Sequence, residues 1–178
     1  DGPVRTVVES LLAYGRSYIR IGYAIPKNGT EMQVQVRVHW QEARRMLKLS
    51  VPTTLTKADY LGQVAFGVER LPDNGDEAVA QKWVAATCAK TGKALSIVND
   101  GIYGSDFLNG EIRLSLLRSP AYSSMVIPER TPGGLDRFQA RIDMGVREYR
   151  FWINGGNIEA RLEQIDREAM AHNEEPVT

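Results

Sequence analysis

From Met32 to Trp40 the chain alternates without a break: Met32, Val34, Val36, Val38 and Trp40 fall on one side of an extended backbone, and Gln33, Gln35, Arg37 and His39 on the other. A strand with one buried and one wet face satisfies that period, whereas a helix would mix the two sets around its surface. The same period returns at Ile19, Ile21, Tyr23 and Ile25 against Arg20, Gly22 and Ala24. It returns again at Ile112, Leu114 and Leu116 against Arg113 and Ser115. Just before that last run, Asn109-Gly110 predicts a tight hairpin, because both residues tolerate the positive φ of a primed turn. Ser119-Pro120 then closes the strand, since proline brings no amide to a ladder.

The remaining segments are read around these strands. Val4 to Tyr14 is rich in β-branched and large apolar residues, and Gly15-Arg16-Ser17 breaks it from the next strand. Pro26 to Thr30 is a turn cluster, and Met46 to Val51 is a short strand stopped by Pro52. Gln63 to Val68 is taken as a strand, Ala78 to Thr87 as loop leading into strand, and Lys93 to Val98 as a strand. Ala121 to Asp136, with its prolines, glycines and paired serines, predicts a long exposed loop. Arg137 to Met144 and Val146 to Ile153 are expected to pair about Gly145, ending at Gly155-Gly156. Ile158, Leu162, Ile165 and Ala169 recur at helical spacing behind Asn157 as N-cap, with Pro176 too late to break the helix. Roughly ten short strands and one terminal helix predict an all-β fold, an antiparallel β-sandwich in a single domain spanning 1–178.

Charge narrows the partners. Lysine plus arginine and aspartate plus glutamate number 22 each, so no bulk field favours nucleic acid or an anionic membrane. No apolar run reaches the roughly 18 residues of a membrane span. The single cysteine, Cys88, excludes an internal disulfide and a cysteine-rich metal knuckle, and favours a reducing, cytoplasmic setting. Asp1-Gly2-Pro3 is not a signal peptide and is read as a boundary within a longer chain.

Catalytic constellations are sparse. The two histidines, His39 on the wet face of a strand and His172 near a helix end, sit in no ligand motif and are taken as solvated surface residues. Cys88 is taken as a small buried hydrophobe. No nucleophile elbow and no phosphate loop occurs. Among the carboxylates, Asp100 and Asp106 are the best placed, although Asp beside Gly commonly forms only an Asx turn. Tyr103, Phe107, Arg118 and Tyr122 interleave aromatic and cationic side chains as a sugar surface requires, an apolar face for C–H groups with polar groups for hydroxyls. Core plugging by Tyr103 and Phe107 is the alternative, and spacing alone does not separate the two.

Several blocks resemble one family. They are Val-His-Trp-Gln-Glu at 38–42 with Met46 to Pro52, then Val98-Asn99-Asp100-Gly101-Ile102-Tyr103-Gly104, then Leu114-Ser115-Leu116-Leu117-Arg118-Ser119-Pro120-Ala121-Tyr122. They continue through Asp143 to Phe151 and Asp166 to Pro176, nearly the whole chain, in the family's order. This pattern resembles the C-terminal β region of α-mannosidases of glycoside hydrolase family 38. The resemblance implies a mutarotase-like supersandwich fold in a multi-domain, zinc-dependent, retaining exo-α-mannosidase. Its zinc ligands and aspartate nucleophile are expected in an N-terminal domain outside this chain, so no catalytic, metal or cofactor role is carried over to any residue here.

The expected function is therefore a non-catalytic β-sandwich region, inactive alone, that supports the N-terminal catalytic domain of the same polypeptide and acts with it on a mannose-containing glycan. Asp100, Tyr103 and Arg118 are the candidates for lining its sugar pocket. A free-standing carbohydrate-binding module is the alternative. A mutarotase-like enzyme would need His39 beside a cleft carboxylate.

Overall fold

The structure, a computed structural model, describes residues 1–120 and 141–174. Among these residues twelve strands form two antiparallel sheets. The larger sheet holds β1 (Arg5–Tyr14), β2 (Ser17–Pro26), β3 (Met32–Trp40), β5 (Asp59–Val64), β6 (Gly67–Arg70), β8 (Trp83–Cys88), β9 (Lys93–Asn99) and β12 (Gly145–Asn157). Its order is β1-β2-β3-β12-β9-β8-β5-β6. The smaller sheet holds β4 (Met46–Pro52), β7 (Ala78–Val79), β10 (Gly104–Leu108) and β11 (Glu111–Arg118), in the order β4-β11-β10-β7. The one helix among the described residues, α1 (Ile158–Asn173), follows β12 directly. The expected all-β antiparallel sandwich with a C-terminal helix is the observed architecture.

The alternation explains which faces meet. Val34, Val36, Val38 and Trp40 are buried and pack with Ile19, Ile21, Tyr149 and Phe151 from neighbouring strands against Phe107, Ile112 and Leu114 of the smaller sheet. Tyr60 and Trp40 pair their polar atoms inside this core. The Tyr60 hydroxyl donates to Ser105 Oγ at 2.7 Å while its ring stacks on Phe107 at 5.1 Å, and the Trp40 indole donates to Ser119 Oγ at 3.1 Å. Asn109 and Gly110 both take positive φ, 53° and 81°, joining β10 to β11 as the dipeptide predicts. Leu116 and Leu117 are both buried because the β11–β4 register shifts between Ser115 and Leu117.

Helix α1 covers part of the other face of the larger sheet. Ile165 and Ala169 pack on Trp83, Ala85, Val98 and Trp152, a second core smaller than the first. Asn157 holds the N-cap position, but its side chain makes no cap bond and instead accepts from Lys93 Nζ. Arg161 is buried beneath the helix, donating to Ser96 Oγ at 3.0 Å and to both Glu168 oxygens. Those bonds from Arg161 hold the Glu168 carboxyl below the usual carboxylate range, against the opposing effect of burial. A carboxylate depressed in the folded state adds stability above its ordinary range, and that contribution is lost as pH falls through the lowered value. Glu168→Gln should therefore flatten the acid limb of the melting-temperature profile below the ordinary carboxylate range. An unchanged acid limb would refute this.

Three expectations change. The segment 63–68 is not one strand but the turn between β5 and β6, where Phe66 takes φ of 67° and stands fully exposed. Among the described residues, 141–144 form no strand paired with β12, which starts at Gly145 and finds its neighbours in β3 and β9. Nor do Gly155 and Gly156 end that strand; they lie opposite Leu95 and Ala94, and the ladder runs to Asn157. The loop expected at 121–136, with Tyr122, and residues 137–140 and Pro176 lie outside the described residues.

Candidate functional site

The loop from β9 to β10 crosses from the larger sheet to the smaller one, and local hydrogen bonds hold its shape. Asn99 is buried; its Oδ1 accepts from the Ile102 amide at 2.8 Å and its Nδ2 donates to Gln81 O at 2.9 Å. Ile102 packs against the main core, and the Tyr103 carbonyl accepts from the Ala80 amide at 3.0 Å. With its backbone fixed on both sides, Tyr103 presents a ring that is 57% exposed. Phe107, by contrast, is a core residue. The two readings left open for these aromatics thus divide between them.

Register places Arg118 at the same end of the hairpin as Tyr103. Ser105 lies opposite Leu114, so Gly104 approaches Ser115 and the strand beyond it runs to Arg118. Arg118 borders an open hollow of about 420 Å³ with Arg44, Arg45, Met46 and Pro120. Buried Ser119 clamps the rim: its carbonyl accepts from the Arg44 amide at 2.7 Å and its amide donates to Arg45 O at 2.9 Å. Among the described residues no carboxylate pairs with these three guanidinium groups. Arg44 and Arg45 escape sequence reasoning because Gln41 to Arg45 looks like a plain polar connection; the turn that aims them depends on Arg44 at φ 57°.

Asp100 is engaged elsewhere. Its Oδ2 accepts from Arg150 Nη2 at 2.7 Å and Nε at 2.9 Å, and its amide donates to Arg150 O at 3.2 Å. Among the described residues, no hydrogen bond or ion pair joins Asp100, Tyr103 and Arg118 to one another. Asp106 is a buried structural carboxylate on the outer face of the smaller sheet, bound by Lys48 and by Arg113. Burial works against the Lys48 charge, but hydrogen bonds to Asp106 and Glu77 prevail and raise its pKa.

The histidines behave differently from each other. His39 is exposed, stacks on Tyr18 and meets Gln41 at 3.3 Å, with no carboxylate bonded to it among the described residues. It lacks the partner a mutarotase-like site would need. His172 is not a solvated surface residue: its ring stacks on Trp152 at 4.1 Å and Nε2 meets Glu31 Oε1 at 3.0 Å, tying the end of α1 to the turn before β3. Cys88 is buried and donates to Thr56 O at 3.3 Å. Among the described residues no three His, Cys, Asp or Glu side chains gather as a metal ion requires, so the residues present do not fit a zinc site. No helix among them is long and apolar enough to cross a membrane.

Comparison with known proteins gives concordant results. A family model described as the glycosyl hydrolases family 38 C-terminal domain matches residues 1–126. Alpha-mannosidase G of Dictyostelium discoideum is 27% identical over 133 residues, 67% of this chain and 12% of that protein. Alpha-mannosidase 2C1 of Homo sapiens is 27% identical over 97 residues, 50% of this chain and 9% of that protein. An alpha-mannosidase structure from Enterococcus faecalis V583 superposes with a TM-score of 0.70 over 88% of this chain and 18% of its own, at 14% identity, a likeness of fold. The chain therefore spans about a tenth of the length of the curated relatives it matches.

Proposed function

Because the chain belongs to the glycosyl hydrolases family 38 C-terminal domain family, we propose that it is the non-catalytic β-sandwich region of a zinc-dependent, retaining exo-α-mannosidase. In this reading it forms one domain over 1–178, braces an N-terminal catalytic domain of the same polypeptide, and contributes a wall to a pocket for mannose-containing glycans. The family match over residues 1–126 carries the reading. Short coverage of much longer mannosidases argues against a free-standing module.

Tyr103 and Arg118 suit the pocket wall by position and exposure: a ring edge for sugar C–H groups and a guanidinium for hydroxyls, both held by anchored backbone. Asp100 completes the wall indirectly, by fixing Arg150 at the margin of the same loop. Zinc and the nucleophile are assigned to the catalytic domain, and no step of the reaction is routed through this chain. One buried cysteine and no disulfide suit a cytoplasmic setting.

Purified alone and supplied with zinc, the chain should release no aryl alcohol from an aryl α-mannoside. Zinc-dependent turnover by the pure chain would overturn the proposal. The genomic sequence upstream of Asp1 provides the complementary check, with a zinc-binding mannosidase domain expected there.

A further inference from the structure

The helix side of the larger sheet is only partly covered by α1, and beyond the helix the strands β1, β2, β3 and β12 leave a trough. Its rows follow from the registers. Val7, Ala24, Gln33 and Trp152 form one row; Glu9, Gly22, Gln35 and Arg150 the next; Leu11, Arg20, Arg37 and Glu148 the third. Two hollows lie in line along these rows. One, of about 190 Å³, runs from Arg5 and Pro26 past Ala24 and Gln33 to Trp152 and Glu31. The other, of about 120 Å³, is framed by Glu9, Arg20, Gly22, Gln35, Arg37 and Glu148.

Gly22 makes the trough continuous. It sits in the middle of a ten-residue strand, where glycine weakens a sheet, and a Cβ built there would meet nothing within 4 Å. No packing demand therefore accounts for the missing side chain. What the gap does is lower the floor between Glu9 and Gln35. From the Arg5–Pro26 pair to Arg20 the floor spans six residue steps of β2, roughly 20 Å at the rise of a strand, room for several linked sugar rings.

The lining selects a neutral, hydroxyl-rich occupant. Arg20 pairs with Glu9, Arg37 with Glu148 and Arg150 with Asp100, and Arg5 and Glu31, the latter bonded to His172, stand with opposite sign at one end, so acidic and arginine side chains balance in the trough. Gln33 and Gln35 offer amides that no other side chain engages among the described residues, and amides can both donate to and accept from hydroxyls. Ala24 and Val7 supply apolar floor for C–H faces, and Trp152, held by the His172 stack, closes the end. A nucleic acid or anionic lipid would meet as many carboxylates as arginines here. We propose that this trough is a binding site for an extended neutral oligosaccharide, separate from the Tyr103–Arg118 end of the sandwich. Only the choice of a mannose probe rests on the family assignment; the trough itself does not.

Titrating the 178-residue chain with a linear, neutral mannose tetrasaccharide tests the site, followed by NMR at the Gln33 and Gln35 side-chain amides and the Trp152 indole. These signals should shift together. Gly22→Leu should fill the trough, leave the melting temperature near that of the parent chain, and weaken binding by at least about tenfold, a loss of about 1.4 kcal/mol. Should that variant misfold, Gln33→Ala with Gln35→Ala provides the same test. Silent signals, undiminished binding in either variant, a response only to a sulfated heparin tetrasaccharide, or shifts confined to Tyr103 and Arg118 would each overturn the proposal. A chain that turns over mannoside yet binds in the trough, or one that does neither, tells the failure of one reading from the failure of the other.

Discussion

Trp83→Ala lowers the stability of the chain by about 4 kcal/mol, the expectation for emptying a large aromatic site that cannot collapse. Trp83 is fully buried on the face of β8 under α1, among Ala85, Val98, Ile165 and Ala169. The backbones of two adjacent strands and a helix surround it, so little can move into the void. Its indole also donates to Asp166 Oδ1 at 2.7 Å, and the same oxygen accepts from Gln63 Nε2 at 2.9 Å. The substitution therefore removes both the packing of the second core and one of the bonds that fix α1. Urea denaturation followed by far-ultraviolet dichroism measures the effect as a shift in midpoint at constant slope. A loss below about 1 kcal/mol would mean that α1 is not docked through this residue. Asp166→Ala isolates the hydrogen-bonding share and should cost about 1 kcal/mol.

Asp106→Ala costs about 3 kcal/mol, because it leaves cations gathered around a carboxylate that is no longer there. The Asp106 side chain is 2% exposed, whereas Lys48 and Arg113 are 24% and 32% exposed. Lys48 keeps Glu77, which in turn accepts from Ser115, so the network is weakened and not dissolved. Arg113 loses its one ion-pair partner among the described residues. The partners also set a pH signature. A lysine whose pKa is raised on folding adds stability that is complete below its ordinary range and disappears as pH climbs through the raised value. The variant should therefore lose stability at neutral pH and show a shallower decline on the alkaline side. Denaturation midpoints across that range test both parts. A cost under about 1 kcal/mol would show that water already solvates the pair.

The sandwich was legible wherever the two-residue period had one face to bury. Met32 to Trp40 announces β3, and Asn109-Gly110 announces its hairpin because positive φ at both positions selects those residues. Gly155-Gly156 misled because a glycine pair usually terminates a ladder, yet here β9 pairs with it, and a Cβ on Gly156 would crowd Arg161 Cδ at 3.2 Å. Arg161 itself belies its polarity, since Ser96 and Glu168 bind it beneath the helix. The site was harder. Asp100 and Arg150 are fifty residues apart in the chain and Arg44 and Arg118 seventy-four, and no local period links them. Tyr103 and Phe107 show the limit most clearly. Two aromatics on one short segment meet opposite fates because Phe107 sits on the inward face of β10, in the main core and stacked on Tyr60, while Tyr103 lies in the loop before that strand.

The place of β12 has a consequence for how the molecule is made. It is the last strand among the described residues, yet it lies inside the larger sheet, between β3 and β9. Until its residues emerge from the ribosome, β1-β2-β3 and β9-β8-β5-β6 share no ladder, and β3 and β9 each present a bare edge beside the apolar faces of Val36 and Ile97. The pairings that join the two halves span more than fifty residues, the kind of long-range closure that slows folding. A nascent chain must therefore keep both edges from meeting other chains until β12 arrives and α1, directly behind it, covers Trp83 and Val98 on the second face. Joining the two parts of the larger sheet is thus the work of β12, and the strands before it in sequence wait for that closure.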